Sequence, residues 1–106
     1  MQKTQNLKSI ITILRRYREL LEQDRFPVER VILYGSHARG LAKPESDIDV
    51  CIISPRFGKK RDEYETYLWK KVLQVDRRIE PVGYTTSDFR AEDPLAYQIM
   101  TSGVEI

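Results

Sequence analysis

Two acidic residues separated by one position, Asp47 and Asp49, follow a Gly35-Ser36 pair after ten intervening residues. Val31 to Tyr34 is a short apolar run rich in β-branched residues, and it reads as a buried strand that ends at Gly35. Asp47 to Ile53 reads as a second strand. Side chains alternate along a strand, so both carboxylates are expected on one face, roughly 6 to 7 Å apart. Carboxylates at that separation repel, and unless a positive charge lies between them one is driven towards protonation. The pair therefore implies a bound divalent cation, and oxygen-only ligands favour Mg²⁺, with Mn²⁺ also suited.

The elements that must position these groups can be read from periodicity. Leu7, Ile10, Ile11, Leu14, Tyr17 and Leu21 fall at helical spacing, predicting an amphipathic helix over residues 4–23, with Pro27 ending any continuation. The turn 35–45 holds two glycines and Pro44, with room for a helical turn from Ser36 to Arg39. Ser54-Pro55 and Gly58 break the second strand. Residues 62–75 predict a helix with Tyr64, Tyr67, Leu68, Val72 and Val75 on one packing face. Residues 79–84 predict a third strand, at an edge or irregular at Pro81, which cannot donate to a ladder. Asp93 caps a helix over 94–102 that opens on Pro94 and stops at Gly103, and 104–106 is left for a last short strand. This order of elements implies a mixed β-sheet packed with helices, in the α+β class.

A strand ending in Gly-Ser, a polar turn and Asp-x-Asp on the next strand resembles the nucleotidyltransferase superfamily that includes DNA polymerase beta and kanamycin nucleotidyltransferase. GSHARG at 35–40 with SDIDV at 46–50 is most similar to its minimal nucleotidyltransferases, small antitoxin-type proteins encoded beside HEPN toxins. The likeness spans about residues 28–106, and the leading helix agrees with it. It implies the nucleotidyltransferase fold and a third carboxylate on a later strand, which Glu80 supplies.

The resemblance also implies roles. Gly35, without a Cβ, would let a triphosphate approach the backbone, and it can adopt a positive φ. Ser36 would donate its hydroxyl, and the amides after it, to phosphate oxygens. Arg39 has two open readings: contact with the terminal phosphates, or hydrogen bonds that tie the turn to the sheet. Asp47 and Asp49 would hold two Mg²⁺ ions, with Glu80 completing the site where an acceptor hydroxyl is activated for in-line attack on the α-phosphate of ATP. Ser46 reads as a cap or orienting residue for Asp47. His37, the only histidine, has no triad-like carboxylate partner and reads as a variable turn residue. A Walker-type loop is excluded, since GSHARG lacks the lysine-serine/threonine ending.

Composition narrows the partners. A length of 106 residues predicts a single minimal domain, 1–106, without room for the helical acceptor domain that related enzymes add. A net charge of +2 argues against nucleic acid as partner, and Arg15, Arg16 and Arg18 read as the solvated side of a helix. No apolar run approaches the ~18 residues of a membrane span, so a cytoplasmic protein is expected. Cys51, the sole cysteine, rules out an internal disulfide and reads as a small core residue. The favoured function is AMP transfer from ATP to a hydroxyl, a tyrosine of a HEPN-type toxin. The alternatives are an antitoxin that neutralises its partner by contact alone, and a small-molecule nucleotidyltransferase completed by another subunit.

Overall fold

The computed structural model describes residues 6–106, so positions 4 and 5 of the expected first helix lie outside the described residues. The chain forms α1 (Leu7–Gln23), β1 (Arg30–Tyr34), β2 (Ile48–Ile53), a 3-10 turn at Pro55–Gly58, α2 (Arg61–Val72), β3 (Ile79–Tyr84), α3 (Pro94–Ser102) and β4 (Val104–Glu105). The strands make one mixed sheet in the order β3-β2-β1-β4. β1 runs antiparallel to β2 and β4, while β2 and β3 are parallel and joined by the crossover through α2.

α1 starts at Asn6, whose side chain accepts a hydrogen bond from the Lys8 amide. It ends four residues before Pro27. The Arg25 amide donates to the Glu22 carbonyl and the Phe26 amide to the Leu21 carbonyl. With Arg25 at φ 62°, this is the left-handed closure that most helices assign to glycine. Ile10, Leu14, Tyr17 and Leu21 form the buried stripe, and the Tyr17 hydroxyl donates to the Leu68 carbonyl at 2.8 Å, locking α1 to α2. Arg15 and Arg16 face solvent as expected.

The sheet divides two cores by alternation. Val31, Leu33, Ile48, Val50, Ile52 and Ile79 face α1 and α2. Ile32, Cys51, Ile53 and Tyr84 face the other way, where Phe89 and the α3 residues Ala96 and Ile99 cover them. Removing a buried leucine or isoleucine from the first cluster would cost about 2–5 kcal/mol. α2 carries the expected stripe, with Leu68 and Val72 buried and Tyr64, Tyr67 and Val75 against the core margin. It ends at Val72 rather than Val75 because tighter i to i+3 bonds, Gln74 to Lys71 and Val75 to Val72, wind its last turn off the helix.

β3 is an edge strand, as Pro81 requires. The carbonyls of Arg78 and Tyr84 accept from the β2 side, from the Ile48 and Ser54 amides, so by alternation Pro81 and Gly83 point outwards. The missing N–H of Pro81 falls where no ladder bond would form. Arg61 donates to the outward Gly83 carbonyl at 2.7 Å. Gly83 has no room for a side chain, since a Cβ there would overlap the Phe57 ring. Asp93 caps α3, accepting from the Leu95 and Ala96 amides and from the Tyr84 hydroxyl, each at 3.0 Å.

Candidate active site

The register sets Asp49 of β2 between Tyr34 of β1 and Glu80 of β3. All three lie on the α3 side of the sheet, in a row across three strands. Gly35 ends β1 at φ 76°, and a Cβ at that position would overlap the Asp49 carboxylate. The Gly-Ser turn is thus folded directly over this acid, which is why only glycine fits there.

Asp49 is half-buried, and its carboxyl is pushed up to about 6. Burial is the main cause, followed by the charges of Glu80 and Asp47 and a hydrogen bond shared with Glu80. None of Asp47, Asp49 and Glu80 joins an ion pair among the described residues. Tyr34, which sequence reasoning did not single out, is also half-buried, and its hydroxyl is pushed up to about 12 by burial and then by Asp49. Its signal was its place directly before Gly35, but only the strand pairing sets it beside Asp49.

Asp47 departs from expectation by one residue. It precedes β2, because the parallel ladder opens at Ile48, whose amide bonds the Arg78 carbonyl at 2.7 Å. It stays exposed, yet close enough for its charge to act on Asp49. Residues 36–40 form successive turns rather than a helix, held by Arg39 amide to Gly35 carbonyl and Leu41 amide to Ser36 carbonyl. The amides of Ser36, His37 and Ala38 find no acceptor among the described residues, nor does the Ser36 hydroxyl find a partner. Three free donors in consecutive positions match an anion such as phosphate. Arg39 is exposed, and its guanidinium ties nothing to the sheet among the described residues.

Three further residues were read from the sequence. His37 lies in the turn as expected but is buried there, 5% exposed, with Nε2 at 3.1 Å from the Ser46 carbonyl. Local composition gave no sign of this, because the burial comes from the turn folding onto the sheet. Ser46 is structural as read, its Oγ accepting from the Lys43 amide at 2.9 Å. Cys51 is fully buried and its thiol is pushed up to about 12 by that burial, the state of a core residue.

Among the described residues no group of three or more His, Cys, Asp or Glu side chains is already closed on a common point as a metal cage. The donor chemistry nevertheless fits Mg²⁺: Asp47, Asp49 and Glu80 offer only oxygen, and Asp49, raised first by burial, is raised further by its two acidic neighbours, a repulsion that a cation would offset.

A nucleotidyltransferase domain model matches residues 13–99, most of the chain and the whole of this site. The chain belongs to the nucleotidyltransferase domain family. A Methanocaldococcus jannaschii protein provisionally named a protein adenylyltransferase is 41% identical over 46 residues, 43% of this chain and 45% of that one. The match thus spans less than half of that curated relative. A solved Sulfolobus solfataricus structure, provisionally called a nucleotidyltransferase, superposes with a TM-score of 0.61 at 21% identity, covering 99% of this chain and 89% of that one. A chain of a toxin–antitoxin structure with AMP-PNP gives 0.58 at 24% identity, over 95% of this chain and 72% of that one. At such identities these two speak for the fold, the α+β nucleotidyltransferase fold. No helix among the described residues is long and apolar enough to cross a membrane.

Proposed function

We propose that this chain is a Mg²⁺-dependent nucleotidyltransferase that moves AMP from ATP to a hydroxyl, a tyrosine of a HEPN-type toxin bound as its cytoplasmic partner. The observation that carries the reading is the register that sets Asp49 beside Glu80, under the Gly35 turn. The adenylyltransferase name of the archaeal relative supports AMP as the group moved, and the AMP-PNP of the toxin–antitoxin neighbour supports ATP as its source.

Asp47, Asp49 and Glu80 would hold Mg²⁺, which when bound would offset their charge, bind triphosphate oxygens and acidify the acceptor hydroxyl. Ser36 and the amides of residues 36–38 would hold the phosphates, Gly35 allowing their close approach, and Arg39, exposed on the same turn, would answer their charge. The acceptor oxygen bonds to the α-phosphorus as the bond to the β-phosphate oxygen breaks. Pyrophosphate leaves, and the hydroxyl proton passes to water. Little covalent work falls to the side chains, which act by position and charge.

The decisive experiment mixes this protein, MgATP and a candidate HEPN-type toxin, then weighs the latter. A gain of one or more AMP units on tyrosine is expected, and none with Glu80→Gln, because the loss falls on the transition state. An unchanged mass alongside full inhibition would favour an antitoxin acting by contact alone.

A further inference from the structure

We propose that His37 is a positioning residue, a strut that fixes the phosphate-facing turn against the segment carrying Asp47 and Asp49. His37 follows Ser36 directly, and its ring reaches the carbonyl of Ser46, the residue before Asp47, at 3.1 Å. One side chain thereby joins the immediate neighbours of a phosphate donor and a metal-binding acid. The turn's backbone bonds are local, such as Arg39 to Gly35, Leu41 to Ser36 and Ser46 to Lys43. Among the described residues, the His37 bond is the only side-chain hydrogen bond that runs from the first half of the turn to its last.

The chemistry of the ring strengthens the case. A carbonyl only accepts, so Nε2 carries a proton, and in the neutral ring Nδ1 is then a bare acceptor. That Nδ1 is buried and has no partner. A residue serving only to fill space would not bury an unsatisfied acceptor, since a phenyl ring fills the same volume without that penalty. What the imidazole supplies and a phenyl cannot is the Nε2 bond. The strut itself stands on geometry, and its effect on nucleotide rests on the function proposed above.

Two variants separate the strut from ordinary packing: His37→Phe keeps the volume and loses the donor, and His37→Gln keeps an amide donor of similar reach. In the ligand-free protein, nitrogen NMR should find Nε2 protonated and Nδ1 bare. Amide exchange at Arg39, Leu41 and Ser46 should quicken about tenfold in His37→Phe and stay near parental in His37→Gln, while both melt close to the parent. MgATP should bind about tenfold more weakly to His37→Phe, with His37→Gln restoring most of the affinity. Parental exchange in His37→Phe overturns the proposal. So does an equal loss of melting temperature in both variants without rescue by glutamine, which would make His37 a core residue only. A parent protein indifferent to MgATP would count against the nucleotide-binding function instead, and the exchange measurement would still decide the strut.

Discussion

Asp76 and Asp49 lie at the same end of the β2–β3 ladder, and their surroundings treat the same side chain in opposite ways. Asp76 accepts from Arg78 through Nε at 3.1 Å, Nη2 at 2.9 Å and the backbone amide at 2.9 Å, and this grip holds its carboxyl below the ordinary range. Arg78 also donates to the Pro44 carbonyl, so the pair braces the turn from beneath. Asp49, one strand away, meets Glu80 and Asp47 instead and is pushed up. The chain supplies a cation where a charge serves the scaffold. At the candidate site it sets carboxylates beside one another with no ion-pair partner among the described residues.

The strongest way to break that contrast is Asp49→Asn. MgATP should no longer raise the melting temperature, a loss of ~2.7 kcal/mol when free ligand is 100 times its dissociation constant. At neutral pH the ligand-free variant should melt at or above the parent, because a repelled carboxylate has gone. A variant that keeps its nucleotide response would return Asp49 to the scaffold.

Arg78→Ala should do the reverse. It strands Asp76, whose side chain is 19% exposed, and should lower stability by about 2–3 kcal/mol in urea unfolding. Any change in nucleotide affinity should be secondary to the loosened turn. If Arg78→Ala unfolds no more easily than the parent, the two aspartates are not distinguished by their partners.

The smallest effect is in pH, where the two acids should act with opposite sign. Asp49 has a raised folded value, so its contribution to ligand-free stability is full below 3.8 and is lost as pH climbs through about 6. Asp76 has a lowered one, so its contribution is present above 3.8 and lost as pH falls through its depressed value. Melting curves of the parent, Asp49→Asn and Asp76→Asn across that range should diverge in opposite directions. Parallel curves would show that neither carboxyl is shifted as described.

Much of this arrangement was legible in the sequence, for identifiable reasons. Alternation in 48–53, the Asp93-Pro94 cap and the ladder defect at Pro81 are local properties, and each landed where its chemistry required. Asp47 missed the strand because a ladder begins where its partner strand begins, and that partner is 31 residues away in sequence, Ile48 pairing with Ile79. The end of α1 fell at Gln23 as expected, but its left-handed closure was hidden, because Arg25 occupies a position that glycine would have announced. His37 and Tyr34 gained their places from pairing and folding-over at long range, which no window of neighbouring residues contains.

Pro81 has a consequence for how the protein behaves in a crowded solution. An exposed strand edge normally invites another chain to add itself, the first step towards aggregates. Here Pro81 removes a donor from that row and Arg61 occupies the Gly83 carbonyl, while the opposite border is the two-residue β4. The same strand that presents Glu80 is thus a poor template for cross-β growth, so the acid can stand at an open border of the sheet without making that border sticky.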